Sequence, residues 1–408
     1  MNKEIGKELR IVRLSNNLSL RELGIKTGIT FSRLGKFERG EEIPTKESIK
    51  KIELALELNF GELMKCSNET SQLFDSFIDS LFYHDDNNNL FKNKIKETQN
   101  NYKLKFECSK LTLIQYILFV LENNLKEAIK IEKELFEYFD IDDECKAILY
   151  EYKGLTCRLE NQNEKAIKWL EKAFSMVKND KNKAMISYHL CVPYMDSRRI
   201  IESMNCLKIS ERIFSVYGAF KRVSYCHLEY ALLFNASRDY KHAIDYFNLV
   251  LKENEIINFP TDYRFQVHRN MCWTMILSEN YLAALDYLED AILLDKTKPN
   301  TILYGIWCNY KLGNYDEAEK IINENNLLVD NVHVKKYYQL FSSLVIERDK
   351  IPTKKVVDYT KQIISSFNEY EEVNRIIFYI DLLLDLLDKR NDEAGKNKYL
   401  EMKISLLK

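Results

Sequence analysis

The chain has 408 residues, 46% of them hydrophobic, with only 11 Gly and 5 Pro. That length favours two or more domains, and the scarcity of turn-forming residues excludes a turn-rich β protein; with 30% charged residues to cover exposed helix faces, the expected class is all-α. A net charge of −2 names no partner, but residues 1–65 carry 13 Lys and Arg against 10 Asp and Glu, a slight basic bias at one end that suits a polyanion.

Taken in chain order, Ile5, Leu9, Val12 and Leu14 make an apolar stripe between Lys3, Lys7, Arg10 and Arg13, which predicts an amphipathic first helix ended by Asn16-Asn17. Ser19-Leu20-Arg21-Glu22 is a capping box opening a second helix over 20–27. Gly28-Ile29 makes a tight turn in which Gly supplies a positive φ. Thr30 is placed to cap a third helix over 31–39, stopped by Gly40. Pro44-Thr45 opens a fourth, with Ile49, Ile52, Leu56 and Leu58 as its apolar face, and 60–65 reads as a short fifth.

Two short helices joined by a Gly turn form a helix-turn-helix. Leu18-Ser19, Glu22-Leu23, Gly28-Ile29, Leu34, Phe37-Glu38-Arg39-Gly40, Pro44 and Leu54-Ala55 make this stretch resemble the lambda-repressor-like (Cro/C1, or XRE) domain. The resemblance implies that Arg13 and Glu38 pair to brace the scaffold, and that the third helix enters the DNA major groove. Phe31, Ser32, Arg33 and Lys36 are then its outward positions, with Leu20 and Arg21 at the start of the second helix beside them. Arg33 and Lys36 suit guanine edges or phosphates, Ser32 suits either, and Phe31 suits a thymine methyl. The sequence departs from the family where Leu20 replaces a DNA-contacting Gln, Gly24 replaces the usual Ala, and Gly35 sits inside the recognition helix. Base preference stays open for that reason, as does a domain that serves only dimerisation.

Residues 66–90 are expected to link the domains, with a polar start at 67–70, a helix over 73–81 and a solvated turn at 85–89. Beyond them, small or apolar residues recur in similar frames at Ala128, Ala166, Ser203, Ala243, Ala284 and Ala318, with steps of 38, 37, 40, 41 and 34 residues. Val356 and Ala394 continue the series at 38 and 38. Periods of this size signify stacked helical hairpins, and the region 91–408 resembles tetratricopeptide-like repeats: Gly154, Ala166, Leu170 and Ala173, and later Ala284, Leu288 and Ala291, fall in the motif's small and bulky positions. The last third fits loosely, which predicts an atypical C-terminal cap.

The resemblance implies a concave face built from the first helix of each hairpin. Counted from the motif, it includes Glu151, Arg158, Tyr188, Asn235, Arg269, Asn270, Trp273, Trp307 and Tyr310. Asn, Arg and aromatic side chains together suit an extended peptide, although Trp273 and Trp307 are expected to lie partly in the core and any single Asn to face solvent.

Nine dispersed cysteines (66, 108, 145, 157, 191, 206, 226, 272, 308) without a CxxC pair read as reduced, mostly buried thiols. Six scattered histidines give no metal-ligand spacing, although His227 and His242 sit where a hairpin could bring them face to face. Asp142-Asp143 and the acidic run 369–372 read as solvated surface. No Walker loop, GxGxxG, HExxH or GxSxG motif is present, so neither an enzyme nor a cofactor is expected. Residues 1–10 are polar with no apolar run after them, and no stretch is apolar enough to span a membrane, so a cytoplasmic protein is expected.

An XRE-type domain joined to tetratricopeptide-like repeats resembles the RRNPP group of peptide-responsive regulators of low-GC Gram-positive bacteria, which includes the Rgg, PlcR, NprR and PrgX types. This implies a homodimer that binds double-stranded DNA and senses a short imported signalling peptide. Repeats that hold another protein, or that only dimerise, are the alternatives.

Overall fold

The computed structural model describes residues 2–57, 59–85, 88–102, 109–138, 142–295, 299–325, 334–348, 350–367 and 373–407. Leu58, Cys108, His333 and the acidic run 369–372 lie outside them, as do the side chains of Ile5 and Cys66. Among the described residues every regular element is a helix and there is no strand. The fold is an all-α helix-turn-helix followed by a solenoid of helical hairpins, and it divides into two compact units: Met1–Pro193 with Ile209–Arg222, and Tyr194–Lys208 with Val223–Lys408.

Unit 1 opens with α1 (Asn2–Ser15), α2 (Leu20–Thr27), α3 (Phe31–Glu38) and α4 (Lys46–Leu56). Leu9, Val12, Leu23, Leu34, Phe37, Ile52 and Leu56 close into one core, each burial contributing about 1.5–3 kcal/mol. Backbone approach is as tight as this small core demands. A Cβ on Gly6 of α1 would stand 2.3 Å from the Phe37 carbonyl oxygen at the end of α3, so only Gly lets α1 cross there.

The turns follow the sequence closely. Ser19 Oγ accepts from the Glu22 N–H at 3.1 Å, Glu22 Oε2 accepts from the Ser19 N–H at 2.7 Å, and Gly28 ends α2 at φ +68°. Thr45 caps α4 through the Ser48 N–H. Thr30 stands at the N-cap of α3 but its side chain accepts no capping bond, contrary to expectation. Helix α5 (Phe60–Tyr83) runs unbroken through the positions read as a short fifth helix, a polar gap and a separate helix; no Gly or Pro interrupts residues 62–83, and a polar stretch alone does not end a helix. After α6 (Asn88–Tyr102), the hairpins begin with α7 (Ser109–Leu121) and α8 (Leu125–Tyr138), followed by α9 (Asp143–Leu159) and α10 (Asn163–Met176), then α11 (Asp180–Asp196) and α12 (Ile200–Val216). Gly154 of α9 admits Leu170 of α10, whose Cγ would lie 2.6 Å from an added Cβ.

Unit 2 takes in the α11–α12 turn with its flanks (Tyr194–Lys208) and continues with α13 (Phe220–Ala236) and α14 (Tyr240–Ile256), α15 (Thr261–Leu277) and α16 (Tyr281–Leu294), α17 (Pro299–Leu312) and α18 (Tyr315–Glu324), α19 (Lys335–Ile346) and α20 (Lys354–Ser365), and α21 (Val373–Lys389) and α22 (Glu393–Leu407). One core runs through it from Leu228 and Ala231 to Leu386 and Leu387.

A single turn design joins most hairpins. Asn123, Asn161, Arg198, Arg238, Glu279, Gly313 and Asn391 all have φ between +54° and +78°. The N–H of the next residue donates to a carbonyl five positions back in the first helix, as Asp239 does to Phe234 and Asn280 to Met275, which satisfies a carbonyl the helix end leaves open. Five residues beyond the left-handed position come Ala128, Ala166, Ser203, Ala243, Ala284 and Ala318, none more than 1% exposed. The 34–41-residue steps are therefore the spacing of this buried helix–helix contact. Val356 is buried too, but Ala394 is exposed. The final turn places its left-handed residue at Asn391, so the equivalent of the small residue is Lys396, two positions later than the period suggests. A lysine cannot close a helix pair as alanine does, and α22 accordingly has no buried residue.

Seven described cysteines are free and buried; burial pushes the Cys308 thiol up to about 12 and the Cys272 thiol well above its ordinary value. His227 and His242 do not face each other: His227 Nδ1 lies 2.7 Å from Glu253 and His242 Nδ1 lies 2.6 Å from Asp239. No cluster of metal-ligating side chains occurs among the described residues.

Candidate functional site

Two surfaces stand out, one in each unit. In unit 1, α3 is split by burial. Leu34, Gly35, Phe37 and Glu38 face the core, while Phe31, Ser32, Arg33 and Lys36 are exposed. Phe31 is 53% exposed. Arg21 of α2 is exposed as well, with its guanidinium 5.7 Å from the Phe31 ring centroid. Leu20, by contrast, is half-buried against the core and would lie 3.7 Å from a Cβ on Gly35; it packs the two helices together. Arg33 Nε donates to Glu42 Oε1 at 2.6 Å and its guanidinium rides over the Phe37 ring at 5.4 Å. An anion approaching α3 therefore competes with Glu42 for Arg33.

The scaffold behind α3 is fixed by charge. Arg13 and Glu38 are both 6% exposed. Arg13 Nε donates to Glu38 Oε1 at 2.6 Å, Nη2 to Oε2 at 3.0 Å, and Nη1 to the Leu18 carbonyl at 2.5 Å. The two-pronged pairing ties the end of α1 to the end of α3, and the third bond holds the α1–α2 turn.

In unit 2, a cavity of about 530 Å³ is lined by α13, α15, α21, the end of α22 and the α11–α12 turn. It brings together three of the expected peptide-contacting residues: Asn235, Asn270 and Trp273. Asn235 is 3% exposed, and its Oδ1 is buried with no hydrogen-bond partner. Its backbone carbonyl accepts from Asn374 Nδ2 at 2.5 Å, and Asn374 Oδ1 accepts from Arg238 Nε at 3.1 Å. Asn270 is half-buried and accepts from Arg269 Nη2 at 3.3 Å. Arg198 and Arg238, both left-handed turn residues, supply cationic lining, and Arg198 also donates to the Leu406 carbonyl at 3.3 Å. The wall thus mixes amide and guanidinium donors with Trp273, Leu232 and Ile377.

A second cavity of about 220 Å³ shares Trp273 with the first and contains Trp307. Both tryptophans are core residues, 8% and 6% exposed. Tyr310 packs beside Trp307 at 5.8 Å between ring centroids but lines neither cavity. Arg158 and Tyr188 belong to unit 1 and line neither. Glu151, counted on the same face, is buried and bonded to His189 Nδ1 at 2.7 Å. Sequence reasoning missed Arg198, Arg238, Asn374 and Arg375. The two arginines occupy turn positions where a repeat motif carries no signal, and the other two lie on α21, 136 residues from the turn that Asn374 meets.

Residues 9–63 match the helix-turn-helix family. The chain is 22% identical, over 325 residues covering 72% of it and 76% of the relative, to the transcriptional activator NprA of Geobacillus stearothermophilus. Its fold is similar to that of the apo quorum sensor NprR from B. thuringiensis (TM-score 0.66, 15% identity, covering 84% of this chain and 99% of that one). It is also similar to that of NprR in complex with its cognate peptide NprX (TM-score 0.57, 16% identity, 83% and 98%). The chain carries a helix-turn-helix domain at its start, followed by a solenoid of tetratricopeptide-like helical hairpins. Within that class it resembles the RRNPP group, as its residues led one to expect. No described helix is long and apolar enough to cross a membrane.

Proposed function

We propose that this chain is a cytoplasmic transcriptional regulator that binds double-stranded DNA through α3 and is controlled by a short peptide held in the larger cavity of unit 2. The observation that carries the reading is the division of α3 itself. One face is locked by the core and the Arg13–Glu38 pair, and the other offers Phe31, Ser32, Arg33 and Lys36 to a partner. A rigid rod with outward cationic and hydroxyl groups suits the major groove, where Arg and Lys donate to guanine edges and phosphates. The similarity to an activator supports the same reading.

For the peptide, the support is Asn235 and Asn270 in one cavity beside Trp273. An extended peptide presents alternating N–H and C=O groups, and Asn amides answer both. The unpartnered Asn235 Oδ1 awaits a donor, which a peptide N–H supplies. Residues 1–65 form the DNA-binding part in this reading, 66–90 the link and 91–408 the sensing and dimerising part. A homodimer places two copies of α3 on half-sites about 34 Å, or a multiple, apart. Peptide binding favours one arrangement of the solenoid, and a coupling of about 1–3 kcal/mol changes DNA affinity 5- to 150-fold.

Fluorescence anisotropy tests both halves. Purified chain is titrated onto duplexes from its own promoter region, with and without the peptide fraction of native-host extract. Saturable binding whose midpoint moves when the fraction is added is the expected result. Indifference to every duplex at low salt rejects the DNA reading, and an unmoved midpoint together with no calorimetric heat from the fraction rejects the peptide.

A further inference from the structure

The smaller cavity of unit 2 is walled by rings: Trp273 of α15, Tyr304 and Trp307 of α17, Phe341 of α19 and Phe378 of α21. These rings hold one another. Trp273 stacks on Tyr304 at 5.4 Å, Phe378 meets Trp273 and Trp307 edge-on at 5.2 and 5.1 Å, and Phe341 lies 5.4 Å from Trp307. Such pairs are at their preferred separations, so the aromatic wall is preformed.

Its polar lining includes two groups that act only as donors. The Trp307 indole N–H is buried with no acceptor, and Arg375 lines the same space. Both groups only donate; Asn300 shares the lining, and no carboxylate is among its described residues. An orphaned buried donor costs about 1–3 kcal/mol, which an occupant bearing an acceptor recovers. The cationic Arg375 disfavours the ammonium ligand that an aromatic box would otherwise accept. A volume of about 220 Å³ falls below the roughly 300–1,000 Å³ of sites that enclose a whole small ligand, and matches one residue better than several. Trp273 lines both cavities, so this one adjoins the cavity that holds Asn235 and Asn270.

We infer that this cavity receives the C-terminal residue of the bound peptide: a bulky apolar side chain among the rings, and its free carboxylate against Arg375 and the Trp307 N–H. The inference rests on the peptide reading of the larger cavity and specifies which end of the peptide lies where.

The chain has three tryptophans, Trp169, Trp273 and Trp307, so a Trp169→Phe variant leaves both remaining emitters in this wall. That variant is titrated, by tryptophan emission, with heptapeptide pools randomised at six positions and ending in Phe as free acid, in Phe as amide, or in Lys as free acid; N-acetylphenylalanine is a fourth arm. The Phe acid pool is expected to shift the emission, with the amide and Lys pools at least roughly tenfold weaker, since a hydrogen bond to a charged group is worth more than that factor. Arg375→Gln is expected to erase the acid–amide difference while keeping the preference for Phe over Lys, and an unchanged urea midpoint reports that the variant is folded. Equal binding of acid and amide, preference for Lys, or N-acetylphenylalanine binding as tightly as the Phe acid pool overturns the inference. So does an unmoved emission while host-extract peptides still bind in an Asn235-dependent way, which leaves the peptide reading intact. If neither the pools nor the extract peptides bind, the peptide reading itself falls.

Discussion

The helix-turn-helix and the cavity region of unit 2 handle polar side chains in opposite ways. Around α3, the buried polar groups are fully paired within the fold, Arg13 with Glu38 and Leu18, and the groups offered outward are exposed. Around the two cavities of unit 2, Asn235 and Trp307 are themselves buried, and Asn235 Oδ1 and Trp307 Nε1 have no partner among the described residues. A surface that reads a charged polymer needs reach and a stiff foundation. A cavity that encloses a small ligand needs buried groups whose desolvation is already complete, so that the ligand supplies the missing partner.

The contrast breaks most visibly at the foundation. Glu38→Ala strands the Arg13 guanidinium in the core, and loss of one partner from a buried pair costs about 3–5 kcal/mol. Urea unfolding followed by hydrogen exchange of α1–α4 is expected to show this domain loosened while unit 2 keeps its protection. On the outward face, Lys36→Ala and Arg33→Ala are expected to weaken specific DNA binding by about 1–3 kcal/mol with no change in the urea midpoint, whereas Glu42→Gln, which releases Arg33, strengthens it; anisotropy titrations that leave all three variants at the parent midpoint discard α3 as the contact surface. Within the cavity the split reverses. Asn235→Ala removes an acceptor that nothing among the described residues satisfies, so stability is expected to hold within about 1 kcal/mol while calorimetric peptide affinity falls by about 1–2 kcal/mol. Equal losses in stability and affinity would make Asn235 a core residue.

The smallest effect concerns pH. Burial holds the His268 pKa below its ordinary 6.5, opposed by the nearby Asp290 carboxylate. The unfolded chain then binds more protons than the folded one at that group. Its contribution to stability is complete above about pH 6.5 and is lost as the pH falls below that value. A His268→Gln variant is expected to flatten the acid side of the urea-midpoint profile, and superimposable profiles reject the assignment.

Much of the molecule was legible because its chemistry is local. The Ser19–Glu22 capping box and the Gly28 turn each need only a few residues in the right frame, while the Arg13–Glu38 pair, 25 residues apart, followed from the family resemblance. The small residues at 128, 166, 203, 243, 284 and 318 mark helix pairs that repeat one contact. Legibility ended where distant parts meet. Ala394 continued the period but not the contact, because the last turn is set by Asn391. The face counted from the motif put Arg158 and Tyr188 with Asn235, since a period gives the side of a helix and not which repeats line one cavity. Asn374 and Arg375 were invisible because α21 reaches its site through tertiary packing alone.

The left-handed turns carry an evolutionary consequence. Arg198 and Arg238 hold a backbone shape that Gly adopts freely and that costs most other side chains about 1 kcal/mol or more. A laboratory selection for heat resistance would therefore be drawn to Arg198→Gly and Arg238→Gly, and would strip the larger cavity of two cationic side chains.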